Sequence, residues 1–464
     1  MIESDYAHLI AGSDKKVPVL GGGTMRYAYL DHAASTPPLV HVMERVSKLG
    51  EWYASVHRGT GVKSLISTAL YDEAHEIVSR FVGATPEHHT VVFGLNTTTA
   101  INKLAKRFPF GPDDVVAVSL MEHHSNDLPW RACHAKRVVI ETDEFGRMDL
   151  DSLSDILKKH AGKVKLVAVT AASNVTGHIT PIPEVARMTH EAGATLFVDA
   201  AQWAPHRAID MGTPGGDESI DALALSAHKM YAPFGTGALI APRSILRDGE
   251  PDQPGGGTVS VVSEEEVIWA HLPDKEEPGS PNVIGGAALA AAVEALSEIG
   301  MDRVAEHEEN LMRRAMEGLN AIDGVAVYGG DDVSDLSSRV GVMPFMVHGA
   351  SDGKVASILS AEYAIGVRNG CFCAQPYVTR LLGVSSEESR AIRDRVRNGD
   401  RRTLPGLVRA SFGLAARTDD VDRLISAVRD IVEGKTAGEY EEDKRGMWVC
   451  RGFDPDVRAL FSSS

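Results

Sequence analysis

The sequence predicts an α/β protein built on a mostly parallel sheet between helices, with a smaller C-terminal part. Two observations carry this expectation. First, short apolar runs end in polar or glycine residues, at 91–93, 115–120, 166–171, 196–198 and 222–225. Runs of this length read as strands buried on both faces. Second, stretches with helical spacing separate them, at 39–53, 64–82 and 183–193, the last ending at Gly193 as a C-cap. Strands alternating with such helices mean repeated βαβ units. Beyond them, residues 285–322 carry two long helical patterns. These lead to strands near 325–328 and 340–347 and a final helix over 419–433.

The domain reading follows. Residues 1–28 are an N-terminal extension, 29–284 the large domain, 285–433 the small domain with a charged insertion at 377–404, and 434–464 a tail. A chain of 464 residues is long enough for two or three domains and a large core. Hydrophobic content of 43% and charged content of 24% are those of a globular protein. A net charge of −17 argues against nucleic acid or an anionic membrane as main partner. No apolar run suggests a membrane span or a leader, so the cytoplasm is the expected location. Four cysteines are too few for a disulfide framework.

Chemistry concentrates at the ends of two predicted strands. The run at 196–198 ends in Asp199, with Gln202 three residues on. The run at 222–225 ends in Ser226, His228 and Lys229, so Lys229 lies thirty residues (229 − 199) beyond Asp199. Functional groups in parallel sheets collect at the carboxyl ends of strands. A lysine there can hold an aldehyde as a Schiff base, and an acid can keep a pyridine nitrogen protonated, which suits pyridoxal phosphate. Taken singly, each residue would be an ordinary solvated charge.

Taken together, DAAQ at 199–202 and SAHKMYAPFGTGAL at 226–239 resemble the fold-type I, class V aminotransferase family. Within it the chain is most similar to the group II cysteine desulfurases and selenocysteine lyases. Further segments match in order: YLDHAASTPP at 29–38, VHRG at 56–59, the turn NTTTAIN at 96–102, EHHSN with Leu128, Pro129 and Trp130, and SNVTG at 173–177. The resemblance covers roughly residues 27–433 and implies a mostly parallel seven-stranded sheet with a small α+β domain. It also implies that Lys229 holds pyridoxal phosphate and moves protons, and that His123 stacks on the ring and serves as acid or base. Thr97, Thr98, Asn174, Asp199, Gln202, Ser226 and His228 become cofactor-binding residues. A helix N-terminus at 96–102 suits the phosphate on physical grounds too, although Thr97 there is equally suited to simple capping. Thr99 stands where many desulfurases have glutamate. Ser280 matches a residue that reaches the phosphate of a neighbouring subunit, which implies a homodimer. His57, Arg58, Asn174 and Arg409 are the implied substrate contacts, Arg409 as a bidentate partner of the carboxylate.

The loop at 365–376 poses the functional question. It reads IGVRNGCFCAQP, where the desulfurases carry R-T-G-x-x-C-A with a nucleophilic last cysteine. Cys373 matches that cysteine, Asn369 replaces threonine, and Cys371 is extra. No second Cys or His pair has the spacing for zinc, so no metal is expected. The leading expectation is a desulfurase that loads sulfur from a cysteine-type amino acid onto Cys373, and passes it to an acceptor protein. The alternatives are a C–S lyase that frees a thiol from a cysteine conjugate, an epimerase or aminotransferase, or a non-catalytic scaffold, against which Lys229 argues.

Overall fold

The computed structural model describes residues 6–462 apart from 58, 331, 335, 401, 403 and 444. Its main sheet has seven strands: β1 His89–Gly94, β2 Val115–Ser119, β3 Lys136–Ile140, β4 Val164–Thr170, β5 Thr195–Asp199, β6 Ala222–Ser226 and β7 Gly237–Pro242. Their spatial order is β1-β7-β6-β5-β4-β2-β3. The run from β6 to β3 is parallel, and β7 alone runs against both of its neighbours.

Every residue of β2, β6 and β7 is buried. This explains why those strands read as unbroken apolar runs rather than alternating ones. Successive side chains still point to opposite faces. Val115 and Ala117 join the core shared with helices Val62–Phe81 and Val283–Ile299, while Val116 and Val118 join Ile101, Leu104 and Trp130 on the other face. Because β5 and β6 are parallel neighbours, Asp199 and the segment holding Lys229 emerge at the same edge.

A second, antiparallel sheet contains β8 Val325–Val327, β9 Val342–Val347, β10 Arg368–Gly370 and β11 Leu407–Ser411, in the order β8-β9-β11-β10. It has its own apolar core, including Met316, Phe345, Leu359, Val408, Phe412 and Leu424. In its register Arg368 stands opposite Arg409. Strand pairing also joins the N-terminal region to this part. Ala28–Tyr29 runs parallel to Ile365–Gly366, and Arg26 bonds the Asp420 carboxylate at 2.6 Å.

Two local expectations are corrected. Thr97 does not cap its helix. The Asn96 side chain accepts from the Thr99 N–H at 3.0 Å, and the Thr99 hydroxyl bonds back to Asn96. The two form a capping box with threonine in the usual glutamate place. Between the glycine clusters at 255–258 and 279–282 lies a β-hairpin, Val259–Val262 with Val267–Trp269. The helix Thr418–Val432 is not the last element. A hairpin, Tyr440–Glu442 with Trp448–Cys450, and a short helix, Val457–Ser462, follow it. Within the charged insertion, Ser386–Arg397 is a helix with no buried residue, started by a Ser385–Glu388 capping box.

Candidate active site

Eleven of the residues singled out in the sequence line one cleft of about 540 Å³: Thr97, Thr98, His123, Asn174, Asp199, Gln202, Ser226, His228, Lys229, Cys373 and Arg409. Strand ends of the main sheet supply its floor, and β10, β11 and the loop after β10 supply its other wall. His57 and Ser280 are not among its lining residues. Ser280 lines a separate cavity with Tyr71, and His57 lies against the Tyr71 ring at 5.9 Å while bonding Asp72 at 3.0 Å. Arg58 falls outside the described residues.

Lys229 follows β6 on a single helical turn, Ala227–Lys229. Thr36 donates both its N–H and its hydroxyl to the neighbouring His228 carbonyl, at 2.9 and 3.1 Å. Burial lowers the Lys229 amine to about 8, with Asp199 acting in the opposite direction. A minor but usable share of this amine is therefore neutral near physiological pH, far more than in an ordinary lysine. Asp199 is only 3% exposed. Burial raises its pKa, against the Ala201 N–H, which donates at 3.0 Å, and the charge of Lys229. A cationic partner in the cleft would relieve that burial cost.

Burial, reinforced by Lys229, His124, Arg409 and His228, lowers His123 to about 3. Its ring is neutral at working pH. Nδ1 accepts from the Ser125 N–H at 3.1 Å, which leaves the proton on Nε2. Under it, Glu122 is buried and pushed up to about 8, chiefly by burial. Asn126 and the Thr170 N–H donate to this carboxyl at 2.6 and 2.7 Å. His228 is also lowered, to about 4, by burial and then by Lys229.

Three buried side-chain oxygens on the cleft lining have no partner among the described residues: Thr97 Oγ1, Gln202 Oε1 and Ser226 Oγ. Buried polar atoms are normally satisfied, so these call for hydrogen bonds from an occupant. An anion suits the open N-terminus of the helix Thr97–Arg107, and a protonated ring nitrogen suits Asp199. An aldehyde carbon suits the neutral amine of Lys229. The donor set fits pyridoxal phosphate.

Arg409 is 2% exposed. It donates to Asp31 Oδ1 at 2.8 Å and to the Asn174 carbonyl at 2.9 Å, while its Nε has no partner among the described residues. Its guanidinium also lies 4.9 Å from the centre of the Phe372 ring.

Phe372 belongs to the turn that presents the thiols. The Ala374 N–H donates to the Cys371 carbonyl at 2.8 Å, and Phe372 and Cys373 adopt φ of +52° and +56°. Two left-handed central residues resemble a type I′ turn, whose usual occupants are glycine and asparagine. Side chains there cost roughly 1–2 kcal/mol each. The surroundings hold the turn regardless. Asn174 Nδ2 donates to the Phe372 carbonyl at 2.7 Å, and the His124 N–H donates to the Cys373 carbonyl at 2.6 Å. Cys373 is thereby exposed toward the cleft, whereas Cys371 is half-buried and its thiol is pushed up by burial.

Sequence reasoning missed Asp31, Glu122 and His124 as working parts. Asp31 and His124 lay within matched segments, but their partners, Arg409 and Cys373, are hundreds of residues away. No local pattern announces the burial that perturbs Glu122.

Comparison with known proteins agrees with this architecture. The family profile "Aminotransferase class-V" matches residues 28–424. A cysteine desulfurase from Haloferax volcanii is 33% identical over 417 residues, covering 87% of this chain and 89% of that protein. One from Dickeya dadantii is 34% identical over 416 residues, covering 87% and 92%. The apo structure of a cysteine desulfurase from Thermococcus onnurineus NA1 superposes with a TM-score of 0.77 at 31% identity, covering 88% of this chain and 95% of that one.

Proposed function

The chain belongs to the class V aminotransferase family, and we propose that it is a pyridoxal-phosphate-dependent cysteine desulfurase. It converts a cysteine-type amino acid to alanine and loads the sulfur onto Cys373. The observation that carries this reading is the placement of Cys373. It is exposed, held on a left-handed turn, and lines the same cleft as Lys229.

Bound in the cleft, the cofactor supplies an aldehyde for the amine and an electron sink for the substrate carbon. Lys229 holds it and, as a partly neutral amine, takes and returns the substrate α-proton. Asp199 favours a protonated ring nitrogen. Thr97, Thr98, Gln202, Ser226 and His228 hold the cofactor from the strand ends and the helix N-terminus, and Asn174 braces both Arg409 and the turn. Arg409 binds the substrate carboxylate with the Nε left free. The neutral His123 would lie beside the bound cofactor, with a proton to offer from Nε2.

The Cys373 thiolate attacks the substrate sulfur. An S–S bond forms, the C–S bond breaks, and its electron pair stays with the substrate carbon, which takes a proton to yield alanine. The persulfide on Cys373 is exposed for an acceptor protein. We place His57 and Ser280 in a homodimer, where a second copy brings its cleft beside the Tyr71 cavity. All four cysteines are free thiols, which suits the reducing cytoplasm.

The test is product analysis with L-cysteine and with bulky S-conjugates. Wild type should give alanine and reducible sulfur, and Cys373→Ser should give neither while still binding the cofactor. Alanine from Cys373→Ser, or pyruvate and a free thiol from the wild type, would replace the desulfurase reading with a lyase.

A further inference from the structure

We propose that the C-terminal hairpin is a strut that positions the thiol-bearing turn, with Trp448 as its contact and Asp352 as the relay. The inference rests on the reading of Cys373 as sulfur acceptor. The strut lies beyond the stretch, 28–424, that the family profile matches.

The hairpin is firmly docked. Glu362 accepts from the Ala437 and Gly438 N–H groups at 2.9 and 3.0 Å and from the Tyr440 hydroxyl at 2.7 Å. This brings the indole of Trp448 onto Gly353, at the start of the helix Asp352–Tyr363. A Cβ at Gly353 would sit 2.6 Å from Trp448 Cδ1 and 3.5 Å from Asn369 Nδ2. Glycine is what allows the ring to come this close to the backbone there. Lys354 Nζ lies 6.0 Å from the centre of the same ring.

The relay begins one residue earlier. Asp352 accepts from Asn369 Nδ2 at 3.1 Å, and the Gly370 backbone counters the rise that burial gives its pKa. Asn369 and Gly370 are the end of β10, and Gly370 is joined to Cys371. Indole, Asp352 and the strand that aims the thiol form one chain of contacts. On the other side, Asn174 and His124 hold the turn's carbonyls. The strut therefore sets the entry to a strained turn whose exit is already fixed. Trp448 touches neither substrate nor cofactor and acts as a positioning residue.

The experiment compares Trp448→Ala, Trp448→Phe and wild type as cofactor-loaded full chains. It measures kcat and KM for alanine formation, the rate of Cys373 alkylation by iodoacetamide, and Tm. A small displacement of a reacting group costs up to about 10²-fold in rate. Trp448→Ala should lower kcat at least about tenfold with KM little changed, because the carboxylate site on β11 is untouched. Cys373 alkylation should change severalfold while that of Cys133 does not, and Trp448→Phe should restore most of both. A lower Tm with kcat and Cys373 alkylation unchanged makes the hairpin a stabiliser only and overturns the proposal. Should Trp448→Ala fail to fold, Gly353→Ala, which displaces the indole, is read on the same criteria. If Cys373→Ser still makes alanine, the nucleophile reading falls, and the alkylation comparison still decides the strut.

Discussion

Asp31→Asn tests the balance of charge around Arg409. In the structure Asp31 neutralises a guanidinium that is 2% exposed, at 2.8 Å. A substrate carboxylate taken by the same guanidinium would lie roughly 6 Å from Asp31. At an effective dielectric constant of about 20, that repulsion is about 3 kcal/mol. Asp31 thus steadies the empty site and opposes the ligand. Asparagine keeps the shape and removes the charge, so two effects of opposite sign are expected. Stability should fall by about 2 kcal/mol, less than the 3–5 kcal/mol typical of breaking a buried pair, because an amide oxygen still accepts. Inhibition by a thiol carboxylate lacking the amino group should tighten about tenfold or more, the surplus of the 3 kcal/mol being lost to relaxation. The assay is the inhibition constant, an equilibrium quantity, together with chemical denaturation. Burial raises the Asp31 pKa despite Arg409. As pH falls, Asp31 takes a proton early, so the wild-type constant should approach that of the variant on the acid side. Weaker inhibition in Asp31→Asn refutes the competition and makes Asp31 the residue that aims Arg409.

Four further outcomes are expected. The rate at which apo-protein takes up pyridoxal phosphate should rise with pH around about 8, the Lys229 value, and Asp199→Asn should move that midpoint lower, because Asp199 raises the lysine; a midpoint near the ordinary lysine value of about 10.4 contradicts this. The same variant should lose about 10²–10³ in turnover with the fold intact. Cys371→Ser should keep most alanine formation, since its thiol is half-buried and pushed up by burial, and the double cysteine variant should match Cys373→Ser; activity in the double variant discards persulfide chemistry. Sedimentation should show a dimer whose cofactor affinity drops with Ser280→Ala, whereas a monomer holding the cofactor at full occupancy removes Ser280 from the site.

The sheet was legible because its physics is local. A strand buried on both faces must be apolar throughout, and β2, β5 and β6 show it directly in sequence. The residues at their carboxyl ends were then the candidates for function, and Asp199 and Lys229 were singled out that way. The hairpins were not legible for the opposite reason. Val259–Val262 and Val267–Trp269 are largely exposed, with a register shift, so no apolar alternation marks them. Tyr440–Glu442 and Trp448–Cys450 are stabilised mainly by what they dock onto, which is a glutamate almost eighty residues earlier in the chain.

The site divides along the same line. Residues whose role is set by position at a strand end were readable singly, and family resemblance ordered them. Residues whose role is set by a remote partner were not. In sequence, Cys373 lies between Arg368 and an insertion carrying both acids and arginines, a charge pattern that does not decide its role. The structure moves the question from charge to conformation. Cys373 owes its presentation to a left-handed turn that neither Phe372 nor Cys373 prefers, fixed by Asn174 from one strand end and His124 from another. Such strain persists only where the surroundings over-determine it, and it collects at functional sites. Here the side chain that braces the turn, Asn174, also offers its carbonyl to Arg409, and the Phe372 ring lies under the same guanidinium. Arg409 thus touches the turn that presents Cys373 by two routes, through Asn174 and through Phe372. This ties recognition of the amino acid to the aim of the thiol.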